Sequence, residues 1–230
     1  MNKSQSGFTL VELLISTALL SLILFVASYS FSLFAGSWGK ELGRYEQTAK
    51  FTRNIELVRR VFASTIPLLV DRGDGTQNSA LYLDGRKQFL RAASRYGVFT
   101  TDSVIYQLSL ESTNEGGEQL IYQEVASNQV LLDSYEQAIT FSNKLVLLDS
   151  VSQVVFSYFG WENSQQKSVQ QSGMGIASKV WQESFNAKEK QLFPESMKVS
   201  VVYGSAQTGE QNLVLRALLP SNAERILFQE

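Results

Sequence analysis

From Leu13 to Gly39 the chain carries no Lys, Arg, Asp or Glu. Those 27 residues would extend about 40 Å as a helix, beyond the roughly 20 residues that a bilayer requires. A transmembrane segment is therefore expected, and 230 residues leave length for one domain of ordinary size beside it. A secretory signal peptide fits poorly, because the n-region offers only Lys3, the apolar run is too long, and Val26-Ala27-Ser28 is a poor cleavage site. A plain membrane anchor fits the length.

Composition removes several classes of function. Cys and His are both absent, so no disulfide framework, thiol nucleophile, histidine base or ordinary zinc site is expected, and no cofactor is called for. Net charge is −2 and no basic stripe with interleaved aromatics occurs, so nucleic acid is not an expected partner.

Glu12 sits at the head of the apolar run, immediately before Leu13. A carboxylate within a membrane helix costs roughly 2.5–3.5 kcal/mol at the helix centre and less near an interface. It could lie at the headgroup level and reach water, which explains tolerance but gives it no task. A cut between Gly7 and Phe8 would create an α-ammonium four residues from Glu12. In a stack of similar helices that amine could pair with a neighbour's Glu12, satisfying the charge only in the assembly and setting axial register.

The string Gly7-Phe8-Thr9-Leu10-Val11-Glu12, on a seven-residue polar leader, resembles the class III signal of type IV prepilins and of the pseudopilins of type II secretion. The resemblance implies cleavage after Gly7 by prepilin peptidase, N-methylation of Phe8, and a role for Glu12 in assembling a filament in the bacterial inner membrane. Many major pilins break this helix with proline. Here the first proline is Pro67, and Ser21, Ser28, Ser30, Ser32, Gly36, Gly39 and Gly43 are the weak points or small contact sites.

Beyond the membrane, Leu42, Tyr45, Ala49, Ile55, Val58, Phe62 and Ile66 recur at helical spacing and mark one apolar face. Glu46 with Lys50 and Glu56 with Arg60 stand at i,i+4. Pro67 disfavours helix at the residue before it. A helix from Phe8 to about Thr65 would be about 87 Å long. After Pro67 the pattern turns to strands: Val104–Leu110 and Leu120–Val125 as a hairpin, then 129–132, 138–141, 144–148 and 151–158, and a closing hairpin of Met197–Tyr203 with Leu213–Leu219. The stretch 163–178, rich in Gln, Ser and Gly, reads as a long mobile excursion. Asp71, Asp74 and Thr76 invite a calcium reading, but they lack the ligand ladder of an EF-hand and read better as a turn.

The expected fold class is α+β: a long N-terminal helix, transmembrane then amphipathic, packed on a globular antiparallel β-sheet domain, as in pilins. The expected division is leader 1–7, transmembrane helix 8–39, amphipathic continuation 40–66 and β-rich periplasmic head 67–230. The C-terminal half, with Tyr158, Phe159, Trp161, Trp181 and Pro194, resembles the closing part of J-type minor pseudopilins. The spacing between its tryptophans is longer than that pattern, and Phe193 replaces the usual Leu, so a minor pilin of a type IV pilus stays open. Core or rim packing is the simpler use of both tryptophans.

The resemblance implies a non-enzymatic structural subunit, a minor pilin or pseudopilin in a tip or initiation complex. Its partners would be prepilin peptidase, other filament subunits and the inner membrane, crossed once with the N-terminus cytoplasmic. A membrane-anchored binding protein is the alternative, and would show no processing at Gly7. A carboxylate-based envelope enzyme is weaker, since Glu115 with Glu118 and Glu183 with Glu189 lie in loops without an active-site context. Ser164-Gln165-Gln166-Lys167 matches an S-x-x-K pattern without companions.

Overall fold

Helix α1 runs from Leu10 to Ala63 in a computed structural model that describes residues 9–75, 78–113, 116–173, 175–204, 209–221 and 223–228. The chain divides into two compact units between Thr52 and Arg53. In the first unit, Leu10–Gly36 is a helical segment long and apolar enough to cross a membrane, and every side chain along it is exposed. Its hydroxyls turn back onto the helix: Ser16 Oγ donates to Glu12 O at 2.7 Å and Ser21 Oγ to Thr17 O at 2.9 Å. A serine whose donor is taken by its own backbone sits in lipid without an orphan polar group.

The second unit begins with the last turns of α1. Of the expected apolar face, Val58 and Phe62 are buried and Ile55 is half-buried, while Tyr45 and Ala49 are exposed. The side chain of Leu42 lies outside the described ones. Val61, off the expected stripe, is fully buried, and Ile66 has left the helix for a strand. Glu56 pairs with Arg59 rather than Arg60, and Arg60 reaches Gly97 O at 3.4 Å. The helix stops ahead of the reach of Pro67 because neighbouring side chains take its last carbonyls. Ser64 Oγ donates to Arg60 O at 2.8 Å, Thr65 Oγ1 to Phe62 O at 2.9 Å, and Ser94 Oγ to Val61 O at 2.9 Å.

From there the chain forms β1 (Thr65–Ile66), β2 (Leu69–Asp71), β3 (Ser79–Leu81), β4 (Leu83–Arg86), β5 (Phe89–Ser94), β6 (Val104–Ser112), β7 (Glu118–Ala126), β8 (Asn143–Leu148) and β9 (Val151–Gly160). Then come α2 (Ser164–Ser172), β10 (Val180–Gln182), β11 (Phe185–Asn186), the single turn α3 (Ala187–Lys190), β12 (Ser196–Tyr203) and β13 (Gln211–Leu218). All ladders are antiparallel: β11-β4-β5-β6-β7-β8 with β1 on β5, β10-β9-β12-β13, and the ribbon β2-β3.

The larger sheet is buried on both faces. On one, Tyr106 and Tyr122 stack at 6.1 Å between centroids, and Thr65 Oγ1 lies 2.7 Å from Tyr106 OH. The second sheet packs here through β9. Phe156 N donates to Lys87 O at 2.8 Å, and the Tyr158 ring lies where any side chain at Gly85 would have to be. Residues of alternate parity build the other face, where Val70, Ala80, Tyr82, Ile105, Val125 and Tyr135 form one cluster.

Two sequence expectations change here. The segments 129–132 and 138–141 are not strands. Val130, Leu132, Ile139 and Phe141 do pack against the second cluster, so their alternation reflects burial. Their backbone is held by turns instead, with Asp71 N donating to Asp133 O, Tyr135 N to Asp71 O, and Gln137 bridging Asp133 N and Leu131 O. The stretch 163–178 contains α2, which Asn163 caps by accepting from Gln166 N at 2.8 Å and Gly173 ends at φ 68°.

Glu124 is fully buried and accepts from Val98 N at 2.6 Å, from Phe99 N at 2.9 Å and from Tyr122 OH. Replacing it with Ala leaves three donors unpaired, the buried Tyr122 hydroxyl and two partly buried amides, at about 3 kcal/mol in total. Thermal unfolding of the full chain in detergent should fall accordingly, whereas Leu131→Ala, at a position 78% exposed, should shift stability by less than about 0.5 kcal/mol. Burial pushes the Tyr82 phenol up to about 12 and raises those of Tyr106, Tyr122, Tyr135 and Tyr158 above the ordinary tyrosine range. The unfolded chain therefore releases these protons first, so the stability these tyrosines contribute is constant below about pH 10 and falls as pH rises from there. An alkaline titration followed at the phenolate absorbance should show these tyrosines ionising together with loss of fold, not as independent groups.

Candidate functional site

The N-terminal site starts at Thr9 and the first turn of α1. Glu12 Oε2 accepts from Thr9 N and from Thr9 Oγ1, both at 3.0 Å, and Thr9 Oγ1 stands 3.3 Å from Glu12 N. This is a capping box, in which residue N-cap and residue N3 satisfy each other's backbone donors. Glu12 therefore has a local task that charge accounting alone does not supply: it closes the positive end of a helix whose surroundings offer few other acceptors. Both bonds fall on Oε2, and neither on Oε1. Gly7 and Phe8, the expected cleavage and methylation positions, lie outside the described residues. The T-x-x-E spacing was the available signal for the cap, and reading Glu12 only as a lipid-phase anomaly passes over it.

The head carries the aromatic residues singled out from sequence. Tyr158 is fully buried, and its hydroxyl donates toward Arg86 O and Phe89 O, each at 3.3 Å. Phe159 and Trp181 are cross-strand partners in β9 and β10, with centroids 5.3 Å apart. Lys198 Nζ and the Arg216 guanidinium lie 5.2 and 5.5 Å from the Trp181 ring centre. Trp161 takes Lys179 in the same way at 5.4 Å, and Lys179 also pairs with Glu195 at 2.7 Å. Pro194 is buried just before β12. Both tryptophans thus pack at the rim of the smaller sheet, with cations over their faces.

Of the acidic pairs, Glu183 and Glu189 are held by separate partners. Glu183 pairs with Lys87 at 3.1 Å, Glu189 N is held by the Asn186 cap at 3.2 Å, and Glu115 lies outside the described residues. Ser164 and Lys167 sit on α2, where Lys167 N bonds Asn163 O. Asp71 Oδ1 accepts from Gly73 N at 2.6 Å and Asp74 pairs with Arg72 at 2.6 Å, the geometry of a turn. Thr76 lies outside the described residues. Among the described residues no group of three or more His, Cys, Asp or Glu could hold a metal ion.

The prokaryotic N-terminal methylation motif matches residues 2–28. No curated protein matches the chain. The match covers the leader, the capping box and most of the apolar segment, so the chain carries a type IV prepilin-like N-terminus.

Removing the capping hydroxyl tests the local geometry. Thr9→Ala should weaken the first turn by about 1 kcal/mol, read as faster hydrogen exchange at the amides of the first turn in detergent micelles. Thr9→Ser should leave them protected.

Proposed function

We propose that this chain is a minor pilin or pseudopilin, cut after Gly7 by prepilin peptidase, methylated on Phe8, and built into a filament through α1. The observation that carries the proposal is the methylation motif over residues 2–28, running into an apolar helix that holds one carboxylate, Glu12. The helix lies in the bacterial inner membrane with its N-terminus cytoplasmic and the β-rich head in the periplasm. The head contacts other minor subunits at the tip or in an initiation complex. Work of this kind is association, and no catalytic residue is assigned. The aromatic pattern of the C-terminal half resembles that of J-type pseudopilins of type II secretion, and a minor pilin of a type IV pilus is the other candidate within this reading.

The capping box supports a second reading, a membrane-anchored binding protein in which Glu12 serves only its own helix. Two substitutions separate the readings. Gln in the third helical position retains the cap but loses the charge, so Glu12→Gln should insert normally and lower incorporation into filaments by more than about tenfold. The lost pair with a neighbour's amine is worth about 3 kcal/mol. Glu12→Ala should be at least as defective. Normal assembly of Glu12→Gln would assign the residue to the cap. Intact mass of the membrane-extracted protein completes the test: the filament subunit lacks residues 1–7 and carries one methyl group on Phe8, and both features vanish in cells without prepilin peptidase. An unprocessed chain leaves the anchored binding protein.

A further inference from the structure

We infer that the loop 95–99, together with the last turns of α1, is a docking surface for an acidic segment of another protein. The loop follows β5 and displays two aromatic side chains, Tyr96 at 43% and Phe99 at 50% exposure. Its shape is imposed from several sides. Arg95 N donates to Ser64 O and Gly97 N to Thr100 O, each at 3.0 Å, and the buried Glu124 takes Val98 N and Phe99 N. A Cβ on Gly97 would stand 2.7 Å from the Glu124 oxygens and 2.8 Å from Val104 Cγ1, so the backbone lies directly on the carboxylate. Burying a carboxylate carries a desolvation penalty of several kcal/mol. Here that group holds a loop whose Tyr96 and Phe99 rings stand half in solvent. A surface held rigid before it binds loses little entropy when a partner arrives.

The lining names the partner's chemistry. Tyr96 stands between two hollows that share Ala63 and Ser64. One is walled by Leu57, Arg59 and Arg60, the other by Ile66, Arg95 and Leu218. Glu56 already holds Arg59 in an ion pair, so Arg60 and Arg95 leave this surface cationic, in a chain whose net charge is −2. Leu218 is 75% exposed. Exposed tyrosine and arginine around hollows of mixed polarity are the composition of interface hot spots. The complementary occupant is a peptide segment with carboxylates for Arg60 and Arg95 and an apolar side chain to lie beside Tyr96. The inference concerns the head alone and does not require cleavage at Gly7.

Because the chain has no cysteine, a single thiol reports on one place. Full-length protein with Ala63→Cys, at an exposed position shared by both hollows and carrying a benzophenone maleimide, is irradiated in its native cell membranes, and the adduct is mapped by mass spectrometry. The expected adduct lies in a carboxylate-bearing segment of another protein. Adding Arg95→Glu, at an exposed position, should lower its yield by about tenfold, since like charges then oppose docking. The thermal unfolding of that variant should be unchanged. A label at Leu131→Cys, also on the head surface, should not give the adduct. Absence of an adduct, an attachment segment without carboxylates, equal labelling from Leu131→Cys, or indifference to Arg95→Glu would each overturn the assignment. The intact mass of the same samples reports leader removal separately, so loss of the docking surface and loss of the filament reading are scored independently.

Discussion

The head depends on how the end of α1 is sealed. A helix terminates with carbonyls that no further turn can satisfy, and here that end also packs Val58, Val61 and Phe62 into the core of the head. Hydroxyls from Ser64, Thr65 and Ser94 cover the carbonyls of residues 60–62. Thr65 Oγ1 also accepts from Tyr106 OH, and Ser64 Oγ lies 2.8 Å from Ser94 Oγ on the sheet. The seal is therefore also the joint that ties helix to sheet. Tyr106 is central to β6, stacks on Tyr122, and so passes the position of the helix end into the middle of the larger sheet. Glu124 extends the same polar thread by one residue pair, from Tyr122 to the loop at 98–99.

The first turn of α1 poses the same problem of unpaired backbone groups, and Thr9 and Glu12 solve it within the chain. Both residues lie on the helix side of the proposed cleavage after Gly7, so removal of the leader leaves the cap intact. The carboxylate would then offer Oε1 to a neighbour while Oε2 stays on its own helix. A single group can thus serve the isolated subunit and the assembly, and the two services are separable by amide substitution because only one of them needs charge.

Much of this architecture was legible because it is written in periodicity. The uncharged run from Leu13 to Gly39, the alternation of Val104 to Leu110, and the closing hairpin of Met197 to Tyr203 with Leu213 to Leu219 each carry one dominant pattern. The α+β class and the antiparallel sheet followed from them. The pattern misled where burial and hydrogen bonding part company. Val130 and Ile139 alternate because they cover a core cluster, yet their backbone is held by turns and by Gln137. The short strands β2 to β5 passed unread because they are brief and, in β2, β4 and β5, carry Gly, Asp or Arg. Helix α2 is weak by propensity and stands on its two caps. The Glu124 clamp could not be read at all, because nothing near Glu124 in sequence announces Val98 or Phe99.

The close approach of Gly85 and Tyr158 has a consequence for the order of events during folding. The Tyr158 hydroxyl meets the carbonyls of Arg86 and Phe89, and Phe156 meets that of Lys87, so β9 reads the finished β4-β5 hairpin as its template. That hairpin is local and can close early, whereas β9 lies some seventy residues further along the chain and closes a large loop when it docks. A chain delivered N-terminus first therefore leaves the slot over Gly85 empty until the residues up to 158 have followed. Until the tyrosine arrives, the half-built head presents an open apolar sheet face. The interval between the two strands thus sets how long the nascent protein depends on other factors to stay unaggregated.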